Sequence, residues 1–116
     1  MMQITRSIKH NYEFRRVYNG GRSAVSGLMA VYCRRNRGGD SQLGITVGTK
    51  VGKAVIRNKV RRRLREIYRL HESAICRGFD IVIVARVKSR YATYGELERD
   101  FLRLTDKLDL RAKERP

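Results

Sequence analysis

The longest hydrophobic pattern in the chain follows the spacing of an α-helix. From about Ala54 onward, apolar residues recur at helical intervals, and at roughly 100° per residue their side chains fall within roughly 80° of one another. The sequence therefore predicts a long central helix that buries one stripe and exposes the opposite side. The stripe consists of Ile56, Val60, Leu64, Ile67 and His71.

A shorter helix is predicted near the start of the chain, from Tyr12 to about Asn19. Asn11 is expected to cap it, and Gly20 and Gly21 are expected to end it. Helical spacing places three apolar or aromatic residues on one face of this helix. They are Phe14, Val17 and Tyr18.

A third helix is predicted from Thr93 or Tyr94 to Leu108, with a regular amphipathic pattern. Its apolar residues are Leu97, Phe101, Leu104 and Leu108. The only proline, Pro116, ends the sequence, and no low-complexity linker divides it, so residues 1–116 are expected to form a single domain. The highly charged stretch 107–116 is expected to fray.

Three stretches have the composition of β-strands. Val25–Cys33 and Gln42–Gly48 are joined through Arg34–Asp40, whose glycines favour a turn, and this arrangement predicts an antiparallel hairpin. Phe79–Ala85 has apolar residues at positions that would face both sides of a sheet, which is typical of a strand in the middle of the sheet. The element order αββαβα predicts an α+β two-layer sandwich.

The exposed side of the central helix is almost entirely basic. Like charges four positions apart destabilise an isolated helix by roughly 0.2–0.5 kcal/mol per pair, a penalty that a bound polyphosphate would reverse. Arginine dominates, and its planar fork suits phosphate oxygens and stacking on bases. The residues opposite the apolar stripe are Arg57, Asn58, Arg61, Arg62, Arg65 and Arg69.

The whole-chain charge supports the same interpretation. The 27 Lys and Arg residues outnumber the 11 Asp and Glu residues, so the formal net charge is +16. Such an excess favours a polyanionic partner, and its spread through ordered-looking sequence favours nucleic acid over a charged tail. No apolar run is long enough to span a membrane and no secretory signal is evident, so a cytoplasmic location is expected.

The segment Lys50–Arg69 resembles the signature helix of the bacterial ribonuclease P protein family, through Lys50-Val-Gly-Lys-Ala-Val-Ile-Arg-Asn-Lys-Val-Arg-Arg-Arg-Leu-Arg-Glu. The family pattern Arg-Asn-Arg is Arg57-Asn58-Lys59 here, so the third position keeps its charge but loses the arginine fork. Phe14-Arg-Arg-Val-Tyr18 and Val82-Ile-Val-Ala-Arg86 resemble the family's first helix and last strand. The resemblance also implies a mixed sheet with a left-handed crossover, against the usual right-handed rule.

The resemblance implies a protein with two RNA surfaces. The basic helix, including Lys59, would dock on a catalytic RNA, and a cleft beside the sheet would hold the single-stranded 5′ leader of precursor tRNA. Aromatic rings in such a cleft would stack unpaired bases without demanding a particular sequence, although an aromatic stripe at helical spacing is equally consistent with core packing. By resemblance, the leader-binding residues are Phe14, Tyr18, Tyr32, Lys50, Lys53 and Arg86.

The sequence offers no evident catalytic site of its own. The only histidines are His10 and His71, and His71 is expected to be packed or to lie at a helix end. Cys33 and Cys76 lack metal-ligand spacing and are expected to be reduced structural thiols. The resemblance implies that the RNA subunit supplies catalysis, with magnesium bound mainly by RNA and substrate, and that the chain belongs to a tRNA 5′-maturation endoribonuclease.

Other interpretations share some of these features. A ribosomal or other structural RNA-binding protein would have the same size, charge and arginine face but would need no leader cleft. A duplex DNA-binding protein would be expected to carry a helix-turn-helix partner, which the sequence does not suggest. A membrane-surface role conflicts with the need to bury the apolar side of the helix in the core. No obligatory protein partner is evident.

Overall fold

The computed structural model describes residues 5–111, which form three α-helices and one five-stranded sheet. In chain order the elements are β1 (Thr5–Ser7), α1 (Asn11–Gly20), β2 (Arg22–Val25), β3 (Met29–Arg35), β4 (Ser41–Val47), α2 (Ala54–His71), β5 (Phe79–Ala85) and α3 (Tyr94–Lys107). Short 3-10 helices follow β4, α2 and β5, at Thr49–Val51, Glu72–Ala74 and Val87–Tyr91. The predicted α+β class with a mixed sheet is confirmed.

The strand order β1-β4-β5-β3-β2 corrects one prediction and confirms another. β5 lies in the middle of the sheet, as its apolar pattern predicts. The predicted hairpin between β3 and β4 is wrong, because β5 lies between them, antiparallel to β3 and parallel to β4. The loop after β3 is held to β5 instead, since the Asn36 amide donates to the Asp80 carboxylate at 2.8 Å.

Two short strands escaped prediction. The sequence from Val25 to Cys33 is not one strand: the chain turns at Ser26, whose backbone N–H donates to the Met29 carbonyl at 2.8 Å, and β2 pairs antiparallel with β3. At the other edge, β1 pairs parallel with the start of β4. The crossover from β4 through α2 to β5 joins adjacent parallel strands, and its left-handed sense stays a prediction from the family resemblance.

The main core lies between one face of the sheet and helices α2 and α3. The predicted stripe of α2 is buried at Val60, Leu64 and Ile67, and the rings of Tyr68 and Phe101 join the two helices edge to face at 6.3 Å. The predicted apolar face of α3 is buried throughout. The strand residues that complete this core alternate along β3, β4 and β5, as the pleat of a sheet requires.

Helix α1 packs on the opposite face of the sheet and adds a partial third layer to the predicted two-layer arrangement. A smaller cluster joins Val17 of α1 to Ile8 and Val82, with Phe14 and Tyr32 against it. The N-cap of α1 is His10, not the predicted Asn11, and the His10 N–H donates to the Glu13 carboxylate at 3.2 Å. The second face of the sheet is therefore only partly covered.

The end of the described chain is packed. Leu108 and Leu110 are buried, and the Cys76 N–H donates to the Leu110 carbonyl at 2.6 Å. The prediction of a frayed segment from residue 107 is wrong as far as Arg111, because these two leucines extend the apolar face of α3 into the core; residues 112–116 lie outside the described residues. Among residues 5–111, none of the helices combines the length and apolarity that crossing a membrane requires.

Candidate nucleic-acid interface

The basic side of α2 points away from the core, as the helical spacing predicts. We call Arg57, Asn58, Lys59, Arg61, Arg62, Arg65 and Arg69 the α2 basic face. Lys59, Arg62 and Arg65 are exposed and make no hydrogen bond or ion pair with the described part of the chain. Between Asp40 and Glu66 the sequence contains no acidic residue, so no nearby carboxylate along this stretch neutralises them.

The remaining arginines of the α2 basic face are held by the protein. The Arg57 Nε donates to the Gly52 carbonyl at 3.2 Å, and the Arg61 Nη1 donates to the Asn58 side chain at 2.8 Å. Arg69 forms an ion pair with Glu66, with Nε to Oε2 at 3.0 Å, and this hydrogen bond lowers the pKa of the Glu66 carboxyl. The predicted residues therefore differ in how freely they can reach a phosphate.

Arg63 lies on the same helix, and the sequence analysis predicted no role for it. Its Nη1 donates to the Ala92 carbonyl at 3.1 Å, which fixes the segment between β5 and α3 against α2. Its position on the helical wheel, near the apolar stripe rather than opposite it, is the signal that separates it from the arginines of the α2 basic face. Arg63 thus has a structural role, because its guanidinium is bonded to the backbone of another segment.

The three aromatic residues of the predicted cleft lie side by side above the partly covered face of the sheet. The ring centroids of Phe14 and Tyr18 are 6.4 Å apart, and those of Tyr18 and Tyr32 are 4.9 Å apart. Tyr18 is 37% exposed, whereas Val17 beside it is the fully buried residue of α1. Val17 therefore makes the buried contact of α1 with the sheet, and the aromatic rings form a row that solvent reaches.

Phe14 rests directly on a glycine of β4. A methyl group added at Gly44 would come within 2.5 Å of the Phe14 ring, closer than real side chains approach. Because glycine has no side chain, Gly44 leaves room on this face of β4 for the Phe14 ring. The close approach fixes where the aromatic row crosses the sheet.

The predicted basic residues of the cleft lie at one end of the sheet, where the parallel strands β4 and β5 finish. Arg86 directly follows β5 and its Nη1 donates to the Ser26 carbonyl at 2.8 Å. Lys50 and Lys53 follow β4, and all three residues are exposed. Arg86 lies four positions after Val82, which pairs with Tyr32, so the basic end lies about 13 Å from the aromatic row.

A small cavity joins the two candidate surfaces, which sequence reasoning treated as separate. It has a volume of about 180 Å³ and is lined by Phe14 from α1, Gly44 from β4, and Arg61 and Arg65 from α2. It lies beside β4 where the three-residue strand β1 has ended. The α2 basic face and the aromatic row therefore meet at one edge of the sheet, and a continuous nucleic acid could contact both.

The other chemically active side chains have structural partners. His71 ends α2, and its Nε2 is 2.9 Å from the Glu98 carboxylate of α3. Cys33 is buried in β3, Cys76 is partly buried, and both are free thiols. Among the described residues, no group of three or more His, Cys, Asp and Glu side chains is arranged to hold a metal ion.

Known proteins resemble this chain over nearly its full length. The family model described as Ribonuclease P matches residues 2–109. The ribonuclease P protein component of Natranaerobius thermophilus is 38% identical over 113 residues, covering 97% of each chain. That of Clostridioides difficile is 38% identical over 107 residues, covering 91% of this chain and 94% of the other.

Solved structures agree with this likeness. The Staphylococcus aureus RNase P protein superposes with a TM-score of 0.84 at 32% identity, covering 91% of this chain and 97% of the other. The Thermotoga maritima RNase P protein superposes with a TM-score of 0.76 at 32% identity, covering 84% and 92%. The similarity thus includes both the arrangement of the elements and the sequence that fills them.

Proposed function

The chain belongs to the ribonuclease P protein family, and from that premise we propose that it binds both the catalytic RNA and the 5′ leader of precursor tRNA. It is the protein subunit of a ribonucleoprotein of tRNA processing, so its partner is RNA. The α2 basic face docks on the catalytic RNA. The aromatic row, with Lys50, Lys53 and Arg86, holds the leader near the cleavage site in the cytoplasm.

The observation that carries this proposal is the cavity at which the two surfaces meet. Phe14 on one side and Arg61 and Arg65 on the other line the same 180 Å³ space. A protein that contacts two RNAs at one catalytic centre needs its two surfaces to adjoin, because the leader leaves the substrate next to the catalytic RNA. A structural RNA-binding protein needs only the basic face.

The aromatic row suits an unpaired strand of variable sequence. Stacking on a ring contributes about 1–3 kcal/mol per base and tolerates every base. Tyr18 is exposed enough to receive a base, and its contact with Tyr32 holds the ring in place. The basic residues at the end of β4 and β5 then meet the phosphates of the strand as it leaves the rings.

The protein's part in the reaction is binding and positioning. Magnesium would be held by the RNA and the substrate phosphates, and there it would supply activation of water and stabilisation of the leaving oxygen. The exposed arginines of α2 neutralise phosphate repulsion between the two RNAs, which raises substrate affinity. No residue of this chain is assigned a proton-transfer or nucleophilic role.

The test is cleavage of a precursor tRNA by a bacterial ribonuclease P RNA at low magnesium. Three reactions are compared: without protein, with wild-type protein, and with an Arg61→Ala, Arg65→Ala double variant. The expected result is cleavage at the mature 5′ end only with the wild-type protein. An Arg99→Ala, Arg103→Ala double variant on the exposed side of α3 removes the same charge and is expected to act as wild type.

Two outcomes contradict the proposal. Wild-type protein that binds RNA but never stimulates cleavage would favour a general RNA-binding role. Equal loss of activity in both double variants would mean that total charge, not the position of the arginines on α2, determines the effect.

A further inference from the structure

A second aromatic position lies at the far end of the sheet, outside the aromatic row. Tyr91 ends the 3-10 helix that follows β5 and is 77% exposed. The Arg90 guanidinium lies over its ring, 5.0 Å from the centroid. Because Arg90 can cover only one face of the ring, the high exposure leaves the other face open to solvent.

The exposure of Tyr91 does not come from a loose segment. The Arg86 N–H donates to the Leu28 carbonyl at 2.9 Å, and the Ser89 hydroxyl donates to the Arg86 carbonyl at 2.6 Å. Ser89 and Ala92 are buried, and the Ala92 carbonyl accepts from Arg63 of α2. The backbone on both sides of Tyr91 is anchored, so its ring is held in solvent by a fixed scaffold.

The surroundings of Tyr91 are positively charged. No acidic residue occurs between Asp80 and Glu96, nor between Asp40 and Glu66. These two stretches meet in the structure, because the 3-10 helix Val87–Tyr91 packs against the turn after β4 and against α2. Five exposed basic residues belong to this end of the sheet: Lys50, Lys53, Arg86, Lys88 and Arg90.

Exposed apolar side chains accompany the charge. Val87 in the same turn and Val55 in the first turn of α2 are also exposed. An anionic partner with flat apolar surfaces would match this combination of rings, methyl groups and cations. Unpaired nucleotides have that chemistry, since each offers a phosphate and a base with two stacking faces.

We propose that Tyr91 stacks a base of the leader upstream of the nucleotides held by the aromatic row, with Lys88 and Arg90 on the adjoining phosphates. The inference rests on the proposed leader binding and extends its path. Arg86 connects the two places, because it directly follows β5 and directly precedes the 3-10 helix that ends at Tyr91. The leader is favoured over the catalytic RNA because Tyr91 shares its end of the sheet with Lys50, Lys53 and Arg86, which the proposed function assigns to the leader.

The test measures binding of precursor tRNA to the complex of protein and catalytic RNA, with leaders of about 4 and about 12 nucleotides. For wild-type protein the longer leader is expected to bind more tightly. Tyr91→Ala is expected to weaken binding of the long-leader substrate on the order of tenfold, from the loss of one stacked base, and to leave the short-leader substrate unchanged. Tyr91→Phe keeps the ring and is expected to bind as wild type.

Tyr12→Ala is the matched control, because Tyr12 is also exposed and also carries an arginine over its ring, with Arg16 5.6 Å from the centroid. Its neighbours Glu13 and Arg16 on α1 line a pocket with Gln42 and Asp80, where β4 and β5 begin, at the opposite end of the sheet from the basic end. Tyr12→Ala is therefore expected to have no leader-length effect. Affinity of the protein for the catalytic RNA alone is measured for every variant. An equal loss for both leader lengths, or a loss of catalytic RNA affinity in Tyr91→Ala, would assign Tyr91 to the other RNA and overturn the inference.

The two proposals fail in different ways. If wild-type protein gives no preference for a leader of any length, leader binding itself is wrong. If wild-type protein prefers the long leader and Tyr91→Ala retains the whole preference, leader binding stands and the role of Tyr91 is wrong.

Discussion

Tyr18 of α1 directs its ring against Tyr32 of β3 in an edge-to-face contact, with centroids 4.9 Å apart and planes inclined at 75°. Aromatic pairs of this geometry contribute about 0.5–1.5 kcal/mol beyond the area that they bury. The contact connects α1, which packs on this face of the sheet, to β3, a strand beside the centre of the sheet. It therefore holds Tyr18 in one orientation while 37% of the residue stays exposed.

Tyr18→Ala should weaken binding of a leader-bearing precursor tRNA on the order of tenfold, because one stacking surface is lost. Affinity for mature tRNA, which has no leader, should not change. Tyr18→Phe should behave as wild type, since stacking does not require the hydroxyl. Fluorescence anisotropy with labelled precursor and mature tRNA measures these affinities for both variants. Equal losses of affinity for precursor and mature tRNA would contradict a leader-specific role.

Arg65→Ala should reduce the salt dependence of catalytic RNA binding. One lost phosphate contact lowers the slope of log affinity against log salt by about 0.7–0.9. Filter binding over a range of salt concentrations gives this slope. Arg103→Ala is the control, because Arg103 is exposed on α3 and paired with Asp100 at 2.8 Å; a similar change in its slope would show that net charge alone is responsible.

Gly44→Ala should destabilise the fold, because the new methyl group would meet the Phe14 ring at 2.5 Å. Overpacking of this kind typically costs about 1–3 kcal/mol. Urea unfolding measures the change. Gly48→Ala is the control on the same segment, since nothing lies within 4 Å of its added methyl group; a loss as large as that of Gly44→Ala would rule out the contact with Phe14 as the cause.

The free energy of unfolding should depend on pH through the Glu96 carboxyl in the first turn of α3. Its carboxylate accepts from the Thr93 N–H at 2.8 Å, and this bond lowers the pKa of Glu96. A lowered folded-state pKa stabilises the helix above the ordinary carboxyl pKa of about 4.3, and the stabilisation disappears as the pH falls through the folded-state pKa.

Glu96→Gln should therefore lower the urea midpoint at neutral pH and have little effect in acid, where the wild-type carboxyl is protonated as well. Parallel urea titrations at the two pH values test this expectation. If the urea midpoints of variant and wild type differed by the same amount at both pH values, the charge on Glu96 would not contribute to stability.

Cys76 should react with alkylating reagents before Cys33. Burial raises the pKa of the Cys33 thiol and keeps it protonated near neutral pH, whereas Cys76 is partly exposed. The thiolate is the reactive form, so both protonation and access disfavour Cys33. Timed alkylation followed by peptide mass spectrometry gives the order, and modification of both residues at one rate would indicate that β3 opens readily.

Periodicity was enough to predict the helices and the central strand. Ile56, Val60 and Leu64 mark the buried side of α2, and the same residues determine which arginines are exposed. The continuous apolar run Phe79–Ala85 identifies the middle of the sheet. These features depend on spacing along one element, which the sequence records directly.

Pairing between strands was harder to predict because it depends on the whole sheet. The glycines after β3 suggest a hairpin with β4, yet β5 has apolar side chains on both faces and takes the place between them. The turn at Ser26 and Gly27 divides the stretch predicted as one strand and leaves β2 only four residues long, and β1 is only three residues long. Neither strand has enough residues to produce a pattern.

The candidate site was predictable in composition but not in arrangement. The sequence and its family resemblance named Phe14, Arg61 and Arg65, but spacing could not place an α1 ring and two α2 arginines around one cavity. The bond of Arg63 to Ala92 could not be predicted, since it joins residues far apart in the sequence. The ion pair of Glu66 with Arg69 has the i, i+3 spacing of a helical pair, and the sequence analysis did not use that spacing. The proposed role of each basic residue stays a prediction until binding is measured.

The central position of β5 has a consequence for synthesis of the protein. β3 and β4 do not pair with each other, and each finds its main partner only in Phe79–Ala85. On the ribosome, α2 and its arginines emerge before that strand, when the sheet that supports them cannot yet close. Pairing between distant segments is slow to form. The arginines of α2 are therefore exposed on a nascent chain whose sheet has not yet formed, until the last third of the chain has been translated.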